Sequence, residues 1–159
     1  LRLLVDLAAD DKAIELRISA KDEQLILASS DGRGFKIASE ACVAQTKTGR
    51  QVMNPAYGAS LMLVITAVGD HVAVIGDNRR LLIFALDELP EMTRGRGVIL
   101  QRYKSGGLSD AKTFTLSEGL TWQSGTRTRT ETKLADWVGK RSQAGRVAPS
   151  GFASNNRFS

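Results

Sequence analysis

The stretch "TKTGRQVM" at residues 46–53 is written again, with another basic and glycine-centred core, as "MTRGRGVI" at residues 92–99. An offset of 46 positions lays the Gly-Arg pair of the first stretch on that of the second. The same offset lays "DGRGFKI" (31–37) on "DNRRLLI" (77–83). A weaker third copy, "QAGRVAP" (143–149), has its Gly-Arg pair 50 residues after the second. Matches at a nearly constant spacing indicate an internal repeat, so the chain reads as about three units of roughly 46–50 residues.

Short apolar runs rich in Val, Ile and Leu lie between turn signals along the chain. Examples are "HVAVIG" (71–76) and "RLLIFAL" (80–86), which flank the turn "GDNRR" (76–80). Runs of this length that are bounded by Asp, Asn and Gly are typical of strands joined by tight hairpins. An all-β chain with about four short strands per repeat predicts propeller-like, four-stranded blades. Three blades cannot close an ordinary propeller, so either they form an open arc or a longer protein supplies more blades.

The domain organisation follows from the repeats. We expect a single domain at residues 1–147, with repeat units at about 14–60, 61–107 and 108–147. Residues 148–159 are rich in Gly, Ser and Asn and predict a flexible C-terminal tail. The chain starts in mid-pattern and without Met, so we expect it to be a piece of something longer.

Composition narrows the possible functions. The net charge is +5, and residues 91–159 carry twelve basic and five acidic side chains. A basic region of this kind suggests a polyanion such as nucleic acid, although a solubilising surface explains the charge equally well. His71 is the only histidine, which excludes a Cys/His zinc set and a serine–histidine triad. Cys42 is the only cysteine, which fits a reducing cytoplasm, and no apolar run is long enough to cross a membrane.

Two longer stretches carry a family resemblance. The blocks "ASSDGRGFKI" (28–37) and "GDHVAVIGDNRRLLIFALDELPEMTRGRGVILQRYKSGGLSD" (69–110) resemble the C-terminal domain of the ParC-type protein, one of the two kinds of chain in bacterial DNA topoisomerase IV. The segment that starts at "GLTWQSG" (119–125) resembles the end of that protein. The resemblance runs through nearly the whole chain, and it implies a β-pinwheel, a relative of the propeller in which neighbouring blades exchange strands.

The resemblance also implies a function. The family domain binds duplex DNA on its basic rim, is itself noncatalytic, and directs strand passage in relaxation, decatenation and chromosome segregation. It is part of an A₂B₂ type IIA topoisomerase, in which its partners are the rest of the ParC-type chain and the ATPase chain, and the cofactors are ATP and Mg²⁺. The expected location is the cytoplasm, at the nucleoid, where chromosome-organising proteins are further candidate partners.

This sequence departs from the family pattern in two respects. It is short for a complete domain, so we expect only the later blades. The gyrase relatives carry a Gln-Arg-Arg-Gly-Gly-Lys-Gly signature that supports tight wrapping, and the nearest stretch here, "TRGRG" (93–97), is not that motif. We therefore expect DNA to be bound and bent without a full wrap.

The repeated loop supplies the predicted contacts. Its glycines permit tight turns, and its cations, placed on successive blades, would form a row that meets regularly spaced phosphates. Further cations lie in the hairpin turns and in the C-terminal third. The alternative is that they are ordinary loop residues, and that the module binds proteins rather than DNA. The predicted DNA-binding residues are Lys47, Arg50, Arg94, Arg96, Arg33, Arg79, Arg80, Arg102, Lys104, Arg127, Arg129, Lys140, Arg141 and Arg146.

Overall fold

The computed structural model describes twelve strands and two short 3₁₀ turns. The strands are β1 (Arg2–Asp6), β2 (Ala13–Arg17), β3 (Gln24–Ser29), β4 (Arg33–Ala38), β5 (Leu61–Thr66), β6 (His71–Gly76), β7 (Arg80–Ala85), β8 (Val98–Ile99), β9 (Leu108–Phe114), β10 (Leu120–Ser124), β11 (Arg127–Glu131) and β12 (Arg146–Val147). The turns are η1 (Leu86–Glu88) and η2 (Leu116–Glu118). The described residues are 2–6, 13–17, 24–38, 40–41, 59, 61–92, 95, 97–103, 106–124, 126–153 and 155–158.

The strands form two four-stranded sheets and two hairpins, which confirms the predicted all-β fold. One sheet has the order β5-β3-β4-β8 and the other has the order β12-β7-β6-β9. The hairpins are β1-β2 and β10-β11. Within the described residues, no helix is long and apolar enough to cross a membrane.

The internal repeat is present in the structure with a spacing of 47 residues. Strand β3 begins at Gln24 and β6 at His71, and the two strands pair in the same way with their neighbours. A register shift follows Ala28 in β3, and its counterpart follows Ile75 in β6. The isolated parallel bridge of Lys36 to Glu91 recurs as Ile83 to Val138, again 47 residues later.

The offset of 46 that the sequence suggested is therefore wrong by one in the hairpins. Gly32 at φ 84° corresponds to Arg79 at φ 60°. The amide of each donates to the carbonyl three residues earlier, over 3.0 Å in both turns. Because a slip of one residue moves a side chain to the other face of a strand, the shift matters. It makes Arg80, and not Arg79, the counterpart of Arg33.

Each four-stranded sheet takes strands from more than one repeat unit. Strand β5, at the start of the second predicted unit, pairs antiparallel with β3 of the first. Strand β9, at the start of the third predicted unit, pairs in the same way with β6 of the second. This exchange is the pairing that the pinwheel resemblance implied.

The chain divides into two compact units. Unit 1 comprises residues 1–67 and 89–98, and unit 2 comprises residues 68–88 and 99–159. In unit 1 the central strands β3 and β4 supply buried Leu25, Leu27, Phe35 and Ile37. The core of unit 2 combines β6 and β7 with the β10-β11 hairpin and with residues that follow it.

The prediction of a flexible tail at residues 148–159 is wrong. Phe152 and Phe158 are only 5% and 3% exposed and belong to the core of unit 2. The Phe152 ring packs against Trp122 at 5.2 Å and against Phe158 at 5.5 Å between ring centroids. Two aromatic rings outweigh the polar composition around them, because burial of each removes a large apolar area from water.

Candidate nucleic-acid interface

The third copy of the repeated loop lies along the edge of the second sheet. We call residues 140–147 the basic edge segment. Its end forms β12, where Arg146 pairs with Leu81 and Val147 with Arg80 of β7. Since β12 is the outermost strand in the order β12-β7-β6-β9, the segment forms one border of that sheet. Charged side chains are common on such exposed edges, so position alone does not make this a binding site.

Side chains from two other parts of unit 2 hold the main chain of the basic edge segment. Arg102 Nε donates to the Ser142 carbonyl at 3.0 Å, and Arg80 Nη1 donates to the Gly145 carbonyl at 3.4 Å. Gln101 Nε2 donates to the Arg80 and Ala144 carbonyls at 2.9 and 3.0 Å. Gln101 is buried, and its structural role was not predicted, because a single glutamine between apolar and basic residues carries no recognisable signal.

These contacts gather four predicted DNA-binding residues into what we call the basic edge cluster: Arg80, Arg102, Lys140 and Arg146. All four are exposed. In the part of the chain that the structure describes, no carboxylate forms an ion pair with any of them. Four unneutralised cations on one hydrogen-bonded stretch of backbone favour an anion with several regularly spaced charges.

Arg141 lies in the same segment but faces the protein. Its Nε donates to the Glu88 carbonyl at 3.2 Å, and its Nη1 donates to the Ile99 carbonyl at 2.8 Å. Its amide donates to the Glu88 carboxylate at 3.0 Å. These bonds give Arg141 a structural role within unit 2, and its status as a DNA contact remains a prediction.

Arg79 is also used inside unit 2. Its guanidinium donates to the Ala153 and Phe152 carbonyls at 2.9 and 3.1 Å, and to Asn156 Oδ1 at 3.1 Å. It also lies 5.9 Å from the centroid of the Phe152 ring. Arg79 therefore holds the C-terminal residues that the sequence predicted to be flexible.

The remaining described cations of the predicted set lie elsewhere. Arg33 begins β4 in unit 1, and its Nε is 3.7 Å from the Asp31 carboxylate. Arg127 and Arg129 are exposed on β11. Their partners Ser124 and Trp122 across the hairpin place them on one face of that strand, as the alternation with threonine predicted.

Five predicted contacts lie outside the described residues: Lys47, Arg50, Arg94, Arg96 and Lys104. The structure does, however, correct the register of the repeated loop. Gly97 and Gly145 both have positive φ, at 87° and 79°. A Cβ on Gly97 would lie 2.5 Å from the Gly34 carbonyl oxygen, and one on Gly145 would lie 2.5 Å from that of Leu81. Gly145 therefore corresponds to Gly97, 48 residues earlier, and not to Gly95.

Two other ionisable groups are shifted, and neither belongs to the cluster. Burial lowers the pKa of Lys112, whose ammonium donates to the Thr121 carbonyl at 2.8 Å. The hydrogen bond with His71, followed by that from the Leu116 amide, lowers the pKa of Asp70. Across the described ranges, no group of three or more His, Cys, Asp or Glu side chains is arranged to hold a metal ion.

Comparison with known proteins places this geometry in a family context. The family model described as "DNA gyrase C-terminal domain, beta-propeller" matches residues 70–108. The ParC-type chain of DNA topoisomerase 4 from Rickettsia prowazekii is 43% identical over 159 residues, which is 100% of this chain and 21% of the relative. Its counterpart from Caulobacter vibrioides is 43% identical over 159 residues, covering 99% of this chain and 21% of the relative. The chain thus spans about a fifth of the length of these curated relatives.

A solved structure has the same fold. The Escherichia coli ParC C-terminal domain matches with a TM-score of 0.72 at 22% identity, over 93% of this chain and 65% of that chain. The likeness confirms the propeller-like fold. Together with the similarity along the whole sequence, it also confirms the family resemblance that the repeated blocks indicated.

Proposed function

Because this chain is a homologue of ParC-type topoisomerase IV proteins and has the fold of their C-terminal domain, we propose that it is a noncatalytic module that binds duplex DNA. In this proposal the duplex is held through its phosphates, with little reading of base sequence. The module then helps to choose which duplex the parent enzyme passes through another.

One observation carries the proposal: the basic edge cluster presents four exposed cations on a fixed border of a sheet. Neutralisation of phosphates by lysine and arginine releases condensed counterions, which is the main source of sequence-independent affinity for DNA. Contacts of this kind position a duplex without specifying its sequence. Because the main chain of the segment is already held by Gln101, Arg102 and Arg80, little ordering is needed before DNA binds.

The predicted cations outside the cluster extend the proposed surface. Lys47, Arg50, Arg94, Arg96 and Lys104 remain predicted contacts, as do Arg33, Arg127 and Arg129. If the duplex follows cations on successive sheets, it has to bend, and a bend over 20–30 base pairs costs on the order of 1–6 kcal/mol. Several phosphate contacts offset that cost, so the proposal expects bending without a full wrap.

The proposed setting is the larger enzyme. There the module would act in an A₂B₂ assembly with the rest of the ParC-type chain and the ATPase chain, at the bacterial nucleoid in the cytoplasm. ATP and Mg²⁺ are assigned to the other parts of that assembly. Relaxation, decatenation and chromosome segregation are the outcomes to which DNA binding by this module would contribute.

The test is a fluorescence anisotropy titration of two duplexes of unrelated sequence at several salt concentrations. Four phosphate contacts predict a slope of log K against log salt of about −3.6, from about −0.9 per neutralised phosphate. Similar affinity for both sequences is expected. Absence of binding at low salt would refute the proposal and would favour the protein-interaction module that the sequence also allowed.

A further inference from the structure

We propose that Glu88 is a positioning residue, which holds the basic edge segment in the place where it meets DNA. The inference rests on the function proposed above and names a residue that is required for it but does not touch the duplex. Glu88 ends the turn η1, directly after β7, whereas the basic edge segment lies more than fifty residues later in the chain.

Glu88 accepts three hydrogen bonds at the start of the segment. Its Oε1 accepts from the Arg141 amide at 3.0 Å, and its carbonyl accepts from Arg141 Nε at 3.2 Å. Its Oε2 accepts from the Ala85 amide at 3.3 Å, which orients the carboxylate with respect to the end of β7. One acidic residue therefore holds both the main chain and the side chain of Arg141.

The other end of the segment is held by the sheet. Val147 pairs with Arg80 in β12 and β7, and the Ala148 amide donates to the Arg79 carbonyl at 2.9 Å. Between these two anchors lie the cationic side chains of Lys140 and Arg146. A stretch held at both ends loses less conformational entropy when its cations meet phosphates than a stretch held at one end.

The charge of Glu88 makes this inference testable by the sign of an effect. A carboxylate beside a phosphate-binding surface repels DNA, so its removal on charge grounds alone should raise affinity slightly. Loss of the anchor should instead lower affinity, because the cations would no longer be fixed. Asp87 supplies the matched control: it is the adjacent acid, it is exposed, and no described residue donates a hydrogen bond to its side chain.

The experiment compares Glu88→Ala and Asp87→Ala in the full chain, since both variants remove one negative charge. Hydrogen exchange of the free protein, read on peptides covering residues 139–147, reports the anchor without DNA. Anisotropy titration with a duplex at 0.1 M salt reports affinity. We expect Glu88→Ala to exchange faster and to bind about 8-fold more weakly for each phosphate contact that is lost, from the slope of about −0.9 per contact. We expect Asp87→Ala to match the unmodified chain or to bind slightly more tightly.

The outcomes separate this inference from the proposed function. If the unmodified chain binds duplex and Glu88→Ala binds like Asp87→Ala, the positioning role is refuted and the proposed function stands. If the unmodified chain does not bind duplex, the proposed function is refuted, and faster exchange in Glu88→Ala would leave only a structural contact. If Glu88→Ala does not fold, Arg141→Lys replaces it. That variant keeps the charge but loses the fork to Glu88 and Ile99, so weaker binding supports positioning and unchanged binding refutes it.

Discussion

Removal of two free cations from the basic edge segment is the perturbation with the most quantitative expectation. Lys140 and Arg146 are exposed, and their side chains make no hydrogen bond to any described residue. The double substitution Lys140→Gln and Arg146→Gln therefore removes two charges without removing a structural contact. Surface changes of this kind usually alter stability by less than about 0.5 kcal/mol, so a change in DNA binding would not come from unfolding.

The size of the effect follows from counterion release. Each neutralised phosphate contributes about −0.9 to the slope of log K against log salt, so the loss of two contacts makes the slope less steep by about 1.8. At 0.1 M salt, relative to a 1 M reference, the same relation corresponds to a loss in affinity of about 60-fold. The loss should be equal for unrelated duplex sequences, because phosphate contacts carry no sequence information.

The matched control is the double substitution Lys133→Gln and Arg157→Gln. It removes one lysine and one arginine, both exposed, from positions outside the cluster. Anisotropy titrations of both variants at four or more salt concentrations give slopes and affinities. Equal slopes for the two double variants would show that only net charge matters, and would refute the assignment of DNA binding to the basic edge segment.

Three further expectations concern stability. Arg79→Lys should lower the free energy of unfolding by about 1.5–3 kcal/mol in urea denaturation, because lysine cannot reproduce the guanidinium's three hydrogen bonds to the C-terminal residues. Gly145→Ala should cost about 1–3 kcal/mol by the same measurement, since its Cβ would strike a carbonyl oxygen and its φ is positive. Asp70→Asn should flatten the loss of thermal stability between pH 6 and pH 3: the pKa of Asp70 is lowered by the hydrogen bonds from His71 and Leu116, so its stabilisation is present above its ordinary value of 3.8 and is lost as pH falls through the folded value. An unchanged urea midpoint for the first two variants, or equal pH profiles for Asp70→Asn and the unmodified chain, would count against these contacts.

The sequence predicted the repeat but not its register. Arg33 matched Arg79 at an offset of 46, yet the adjacent Arg80 fits equally well at 47, so identity could not decide between them. What decides is backbone conformation: Arg79 occupies the left-handed region where the first copy has Gly32. A bulky residue with positive φ is uncommon, and no local pattern announces it.

The candidate site was predicted as a set of residue types rather than as an arrangement. Arg80, Arg102, Lys140 and Arg146 were named from charge, but nothing local placed them on one sheet edge. That arrangement comes from long-range pairing of β12 with β7. The same limit explains why Arg79 was grouped with the surface cations, since its hydrogen bonds are made with residues more than seventy positions away.

The most direct test of DNA binding by the basic edge segment is a footprint of lysine reactivity. The rate at which each lysine is acetylated is measured by mass spectrometry with and without saturating duplex. Lys140 should react several-fold more slowly in the complex, and Lys133 should react at the same rate. Protection of Lys133 with no change at Lys140 would contradict the claim that DNA lies along this edge of the sheet.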